Sequence, residues 1–215
     1  ERKSLIKAAE REHKAAIDAE QAPPEKAKAA VAARLAVQHE RLERAQAELR
    51  ARTLPPSVGS RVIDLRDYDI PLYDGDLEDD TGMPAGAIKL REVVKDHDAI
   101  LFASPEYNAS IPAVLKNTID WVSRPYAGDP DVQAWAGRVC GLLASSPGAL
   151  GGLRGLVHLR QVAMNVGMQV VSEQFALSKA HEAFAEDGSL RDERSQRGVR
   201  KVISSVIRMT RALKA

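Results

Sequence analysis

The sequence contains few of the residues on which disulfide or metal-based stabilisation depends. Of 215 residues, one is cysteine and 5 are histidine. A single cysteine excludes an internal disulfide, and the dispersed histidines lack the ligand spacing of a zinc or iron–sulfur site. A chain of this length buries a sizeable core without such links, so we predict one main domain and no bound metal.

The sequence also lacks an excess of either charge and a long apolar run. Lys plus Arg number 31 against 30 Asp plus Glu, which gives no reason to expect a nucleic-acid partner. No apolar run approaches the roughly 18 residues that a membrane-spanning helix needs. We therefore predict a cytoplasmic protein without a membrane span. Because the chain begins at Glu1 without an initiator methionine, import into an organelle stays open.

The N-terminal quarter of the chain differs in composition from the rest. Residues 1–58 contain no glycine and no aromatic residue. Apolar residues at helical spacing predict two helices there, interrupted by Pro23 and Pro24. The second helix carries leucines seven residues apart, a stripe that fits packing on the body of the domain or on a partner helix. We divide the chain into a helical segment, residues 1–58, and a second domain, residues 59–215.

From Arg61 onward, short apolar runs alternate with helical patterns. This order is typical of a parallel sheet covered by helices on both faces, a doubly wound α/β fold. The predicted strands are Arg61–Leu65, Ala99–Ser104, Arg138–Ser145 and Met168–Glu173. The predicted helices are Ala85–His97, Pro112–Ser123, Leu153–Val166 and Arg191–Leu213.

Two connections that follow predicted strands have unusual sequences. Ligands of open parallel sheets bind beyond the carboxyl ends of the strands. One such end leads into a polar turn with an aromatic residue, Ser104–Pro112, and the next leads into a glycine-rich loop, Ser145–Gly152. The backbone of a glycine-rich loop can approach a flat ligand closely. We expect the functional site to lie between these two connections.

The first connection and the helix after it resemble a known family. The run PEYNASIPAVLKNTIDWVSRP, Pro105–Pro125, resembles the NADPH-dependent FMN reductases, the flavodoxin-like group that includes chromate, quinone and azo-dye reductases. The resemblance continues in Ile63–Glu78, in the glycine-rich loop and in Glu182–Leu190. It implies a flavodoxin-like doubly wound sheet, FMN as cofactor and NAD(P)H as hydride donor.

The resemblance also implies which residues hold the flavin. The first turn would lie along the isoalloxazine edge, mostly through backbone groups, and the glycine-rich loop would close on it from the next strand. The implied cofactor-binding residues are Pro105, Glu106, Tyr107, Asn108, Ser110, Ser146, Pro147, Gly148, Gly151 and Gly152. Glu106 and Asn108 have a second explanation, in which they cap the helix that begins near Pro112. Because the flavin carries the chemistry, we expect no catalytic side chain.

One part of the family pattern is missing. The family opens with a strand that runs into a Gly-Ser-x-Arg phosphate loop, and residues 1–58 contain neither. Losing a central strand would leave buried backbone groups unpaired, at roughly 1–3 kcal/mol each. Three explanations stay open. The strand precedes Glu1; or Glu40–Arg52 is the family's first helix and the strand has been replaced; or another chain supplies the strand.

Two functions from different classes follow. The first is an NAD(P)H-dependent, FMN-containing oxidoreductase that passes hydride through the flavin to a quinone, chromate, an azo compound or a similar small acceptor. It would act as a homodimer or homotetramer. The second is a non-catalytic structural or assembly subunit that has lost the phosphate site and binds a protein partner through its N-terminal helices.

Several helix residues have structural explanations that need no ligand. Lys116, Asp120 and Arg124 are four residues apart and predict an ion-pair ladder on one helix face. Trp121 and Trp135 are expected to pack in the core or at a subunit interface.

The remaining reactive residues are also expected to be structural. The acidic run from Asp74 to Asp80 lacks the spacing of an EF-hand and is predicted to be a solvated loop. Cys140 lies in an apolar strand and is predicted to be a buried hydrophobic side chain. His158 and His181 have no supporting partner in the sequence.

Overall fold

The computed structural model describes residues 57–129 and 133–215. They form a three-stranded parallel sheet of spatial order β1-β2-β3 with helices on both faces. The strands are β1 (Ala99–Pro105), β2 (Val139–Ser145) and β3 (Gln169–Leu177). The helices are α1 (Gly75–Thr81), α2 (Ala85–Lys95), α3 (Ala113–Ser123), α4 (Leu153–Asn165) and α5 (Glu193–Lys214). The predicted α/β class is confirmed, and seven predicted elements differ from the structure only at their ends.

β2 lies between the other two strands and has an almost continuous apolar sequence. Its side chains alternate between the two faces of the sheet. Cys140, Leu142 and Ala144 pack in the cluster that also holds buried residues of α2, α3 and α4. Val139 packs on the other face, against Val202 of α5. Burial on both faces is the reason that this strand contains no polar side chain before Ser145.

Glycines and capping residues fix where the elements begin, end and meet. A Cβ at Gly141 would lie 2.7 Å from Cγ2 of Val206, so a glycine lets α5 approach the sheet. The Asp74 side chain caps α1 by accepting from the Asp76 amide at 2.9 Å. The Asp192 side chain caps α5 by accepting from the Ser195 amide at 2.8 Å. These acids are good N-caps because their oxygens satisfy amides that have no partner within the helix.

The predicted strand over Arg61–Leu65 is wrong. Residues 58–64 form no strand, and a single 3₁₀ turn covers Leu65–Asp67. The Asp64 carboxylate accepts from the Arg66 amide at 2.9 Å, which favours this turn. A strand needs a neighbour for its ladder, and within the described residues β1 pairs with β2 alone. The apolar residues of this segment therefore form no strand hydrogen bonds in the described structure, and Val62 is 39% exposed.

The predicted solvated loop over Asp74–Asp80 is also wrong, because most of this acidic run forms α1. Its Glu78 accepts from the Arg124 side chain at 2.9 Å and from the Tyr73 hydroxyl at 2.8 Å. The Arg124 hydrogen bond is the main reason that the pKa of Glu78 lies below its ordinary value. In the predicted ladder only the Lys116–Asp120 pair forms, at 2.7 Å, because Arg124 binds Glu78 instead.

The predicted core side chains are buried. Trp121 is 0% and Trp135 is 3% exposed, and the Trp121 indole donates to the Pro71 carbonyl at 2.9 Å. Burial raises the pKa of the Cys140 thiol to about 12, as expected for a buried apolar side chain. The core-packing predictions for these three residues are confirmed.

The predictions for the N-terminal segment lie outside the described residues. They include both predicted helices and the segment Glu40–Arg52, and the boundary at residues 58 and 59 stays a prediction. Within residues 57–129 and 133–215, no helix is both long and apolar enough to cross a membrane.

Candidate functional site

The two connections singled out in the sequence leave the same edge of the sheet. β1 and β2 are parallel neighbours in register, with Ser104 opposite Ala144 and Pro105 opposite Ser145. Their carboxyl ends therefore coincide, and the chain enters the polar turn and the glycine-rich loop side by side. A parallel sheet places ligand sites at this edge.

The polar turn is a tight reversal closed by two hydrogen bonds. The Tyr107 amide donates to the Ser110 carbonyl at 3.0 Å, and the Ser110 amide donates to the Tyr107 carbonyl at 3.0 Å. The two central residues, Asn108 and Ala109, both have positive φ, 49° and 64°. Positive φ at both positions is the geometry of a type I′ turn, in which alanine is strained by roughly 1–2 kcal/mol. Strain of this kind persists only where the surroundings hold it.

The Glu106 side chain joins this turn to the start of α4. One carboxylate oxygen accepts from Arg154 Nε at 3.0 Å and Nη2 at 2.7 Å, and the other accepts from the Gly155 amide at 3.0 Å. The side chain is only 6% exposed. The Gly155 amide, followed by Arg154, holds the pKa of Glu106 below its ordinary value. Glu106 is therefore an ionised group whose oxygens are occupied by the protein itself.

A second contact joins the turn to α4 one helical turn further along. His158 Nδ1 lies 2.9 Å from Ser110 Oγ. The helix backbone lies close to the turn at Gly155, where a Cβ would lie 3.3 Å from the Ser110 carbonyl oxygen. His158 thus has a partner, and the expectation that it is unsupported is wrong. His181 Nε2 lies 3.2 Å from the carboxylate of the neighbouring Glu182.

The glycine-rich loop is held by the connection that follows β3. The Ser146 amide donates to the Leu177 carbonyl at 3.1 Å, and the Ala180 amide donates to the Ser146 carbonyl at 3.1 Å. A Cβ at Gly151 would lie 2.6 Å from the Ser178 amide nitrogen. Gly151 is therefore a glycine because a third piece of backbone lies against it. The sequence pattern predicts instead that the glycine lets a ligand approach.

The tip of the same loop is open. Pro147 and Gly148 are exposed, and the nearest atom to a Cβ at Gly148 would be Ser146 Oγ, 3.6 Å away. Gly152 is buried under the loop, where a Cβ would lie 2.7 Å from the Ala144 Cβ. The glycines thus divide into two that are required by packing and one that leaves free space beside the turn.

The arrangement fits the flat part of a flavin. Tyr107 is 62% exposed at the turn, and the open space at Gly148 lies on the neighbouring connection. An exposed aromatic ring and backbone without bulky side chains suit a planar ring that binds by stacking and by backbone hydrogen bonds. For the phosphate there is no comparable feature, because in the described residues no strand precedes β1 from which a phosphate loop could lead.

Sequence reasoning missed two residues of this site, Arg154 and His158. Both lie on the face of α4 turned toward the polar turn, and neither has a partner that sequence spacing reveals, since their partners are 48 residues away. The available signal was the pair Gly152 and Gly155. Glycines three apart at the start of a helix indicate that another backbone approaches there.

Curated relatives of known activity class match most of the chain. A protein of Oryza sativa subsp. japonica named "Probable NADPH:quinone oxidoreductase 2" is 36% identical over 154 residues, which is 70% of this chain and 72% of the relative. An NAD(P)H-dependent FMN reductase of Pseudomonas aeruginosa is 33% identical over 162 residues, 75% of this chain and 83% of the relative.

A solved structure has the same fold. The flavoenzyme NAD(P)H:(acceptor) oxidoreductase FerB of Paracoccus denitrificans superposes with a TM-score of 0.65 at 28% identity, covering 80% of this chain and 89% of FerB. The similarity confirms the predicted flavodoxin-like α/β fold.

A family model also matches the chain. The model for the NADPH-dependent FMN reductases covers residues 36–182. The family confirms the predicted enzyme class, an oxidoreductase, and the predicted cofactors FMN and NAD(P)H. It also confirms the resemblance drawn from the turn at Pro105. The chain belongs to the NADPH-dependent FMN reductase family.

Proposed function

We propose that this protein passes hydride from NAD(P)H through FMN to a small acceptor of the quinone type. One observation carries the proposal: the Tyr107–Ser110 turn and the open tip of the glycine-rich loop lie at the carboxyl edge of adjacent strands. Bound FMN supplies the acceptance and release of hydride. The chain supplies the hydrogen-bonded Tyr107–Ser110 turn, the exposed ring of Tyr107 and a loop tip at Gly148 that carries no bulky side chain.

Of the ten residues implied by the resemblance, six are proposed as flavin contacts and three as supports of the two connections. The turn residues Tyr107, Asn108 and Ser110 would lie along the edge of the ring, and Ser146, Pro147 and Gly148 would close on it. Pro105, Gly151 and Gly152 shape the two connections from beneath. Glu106 is the exception, because its oxygens already have protein donors.

The acceptor is proposed to be a quinone, in keeping with the name of the rice relative. Chromate and azo compounds remain substrates to test, since the same exposed surface beside Tyr107 would admit them. No acid or base is assigned. The cytoplasmic location stays a prediction.

We further propose that the active form is a homodimer or homotetramer. The surface around the turn and α4 exposes several apolar side chains, which in a soluble monomer are usually scattered. They are Val114 (50% exposed), Leu150 (52%), Leu153 (43%), Val157 (51%) and Met164 (59%). Leu153, Val157 and Met164 recur at helical spacing along α4, so one face of that helix is apolar and uncovered in the described chain.

The phosphate of FMN needs a site outside the features described above. The family match begins at residue 36, so it includes Glu40–Arg52. The second function, a non-catalytic subunit of the same fold, would follow if no part of the protein bound the phosphate. Uptake of FMN separates the two.

The experiment is a visible spectrum of the purified protein before and after FMN, then NADPH, then a quinone, under nitrogen. We expect flavin absorbance that NADPH bleaches and the quinone restores. Gly148→Val fills the open space at the loop tip and should weaken FMN uptake. Gly75→Val is the matched control, because a Cβ at Gly75 would meet no atom of the described residues within 4 Å, and Gly75 lies in α1 instead of the loop. A wild-type protein that takes up no FMN would support the subunit function instead.

A further inference from the structure

The start of α4 lacks a cap of its own. Its N-cap residue is Gly152, with φ of 93° and no side chain to accept a hydrogen bond. The first four amides of a helix have no partner within it, and a buried start without one is costly. In most helices a Ser, Thr, Asp or Asn at the N-cap supplies the acceptor. Here the acceptor comes from another connection, because the Glu106 carboxylate accepts from the Gly155 amide at 3.0 Å.

The same carboxylate is bound to the helix a second time, through Arg154. Two nitrogens of Arg154 donate to the same Glu106 oxygen, Nε at 3.0 Å and Nη2 at 2.7 Å. A negative charge at a helix N-terminus is favourable, and hydrogen bonds between ionised groups are stronger than neutral ones. The depressed pKa of Glu106 agrees with this environment. We call Glu106, Arg154 and Gly155 the turn clamp.

The turn clamp lies directly beside the strained turn. Glu106 immediately precedes Tyr107, and Asn108 and Ala109 follow with positive φ. Two consecutive non-glycine residues in this region need surroundings that hold them. The clamp fixes the first side of the turn to α4, and the Ser110–His158 contact at 2.9 Å fixes the other side.

We propose that Glu106 is a positioning residue, which caps α4 from the neighbouring connection and thereby holds the Tyr107–Ser110 turn in the conformation that receives the flavin. The proposal assigns to this acid a role different from direct contact with the cofactor. It rests on the proposed function, since a turn held for a flavin requires that a flavin binds.

The first test follows amide hydrogen exchange by NMR in the flavin-free protein. Glu106→Ala removes three hydrogen bonds, and Glu106→Gln keeps one acceptor oxygen and the side-chain shape. We expect exchange of the Tyr107, Ser110 and Gly155 amides to rise roughly tenfold or more in the alanine variant, the scale of at least one lost hydrogen bond. The glutamine variant should fall between it and the wild type. The Leu142 amide in β2 should not change.

The second test measures FMN dissociation constants and the visible spectrum of the bound flavin in the same variants. The dissociation constant of FMN should rise roughly tenfold in Glu106→Ala, because loss of about one hydrogen bond that holds the turn corresponds to a tenfold weaker affinity. It should rise less in Glu106→Gln. A shifted flavin band is expected only in the clamp variants. Asp120→Ala is the control, because it breaks an exposed ion pair of 2.7 Å on α3 that is not part of the turn.

The outcomes separate the two proposals. If Glu106→Ala shows the same exchange at Tyr107 and Ser110 as Asp120→Ala, or binds FMN as tightly as the wild type, the clamp is overturned and the proposed function stands. If the wild-type protein takes up no FMN, the proposed function fails, and the positioning of a flavin fails with it. If Glu106→Ala does not fold, Arg154→Met replaces it in both tests and is judged by the same comparisons. It removes two of the three hydrogen bonds and leaves the Glu106 cap on Gly155.

Discussion

Two glycines three positions apart in the same loop should respond in opposite ways to the same substitution. Gly151 has φ of 62°, and a Cβ there would lie 2.6 Å from Leu177 C and Ser178 N. Gly148 has ordinary φ, and among the described residues the nearest atom to its Cβ would be Ser146 Oγ at 3.6 Å. Alanine at each position therefore tests whether the connection after β3 is seated against the glycine-rich loop.

The magnitude for Gly151→Ala combines three contributions. Alanine with positive φ costs roughly 1–2 kcal/mol, and forcing a methyl group against backbone atoms that cannot move aside costs roughly 1–3 kcal/mol. The loss of chain entropy in the unfolded state returns roughly 0.4–1 kcal/mol. The net destabilisation is about 3 kcal/mol, which lowers the melting temperature of a domain of this size by about 10 °C. Gly148→Ala keeps only the entropy contribution and should be neutral or slightly stabilising.

The assay is thermal unfolding of the flavin-free protein, followed by circular dichroism, for the wild type and both variants. The melting temperatures should fall in the order Gly148→Ala, wild type, Gly151→Ala. The reasoning is refuted if Gly151→Ala melts within about 2 °C of Gly148→Ala, a difference that corresponds to less than 1 kcal/mol. In that case the connection after β3 does not press on the glycine-rich loop.

Four further predictions concern the core and the clamp. Leu142→Ala in the buried centre of β2 (0% exposed) should cost about 2–5 kcal/mol in the free energy of unfolding, measured by urea denaturation. Arg91→Leu should cost about 3 kcal/mol, because the fully buried side chain donates to the carbonyls of Val122 at 2.9 Å and Arg124 at 3.0 Å; an unchanged urea midpoint contradicts this. Cys140, with its pKa raised to about 12, should resist thiol reagents between pH 7 and 9 in the folded protein and react after unfolding. The pKa of Glu106 in the folded protein lies below its ordinary value of 4.5. The stabilisation that the Glu106 carboxylate contributes is therefore complete above pH 4.5 and is lost as the pH falls through the folded-state pKa. The melting temperatures of the wild type and Glu106→Gln should converge in acid.

Elements with long and clear patterns could be predicted from the sequence, and short ones could not. The strands at Ala99 and Val139 and the helices at Ala113 and Leu153 are long apolar or amphipathic segments whose local preference agrees with the fold. Arg61–Leu65 had the composition of a strand, but a strand exists only when a neighbouring strand pairs with it. The acidic composition of the run at Asp74 predicts a loop, because the sequence does not reveal that Asp74 caps a helix through its hydrogen bond to the Asp76 amide.

The amino-acid sequence by itself determined the alternation of strands and helices, the polar turn at Glu106 and the family to which the chain belongs. These features depend on local composition and on contiguous residues. Only the tertiary structure decided what Glu106 binds, because Arg154 and Gly155 are 48 and 49 residues away. The same holds for Arg124 with Glu78, 46 residues apart, and for the backbone that lies against Gly151. Partners of this kind depend on how the strands align, and no spacing along the chain encodes them.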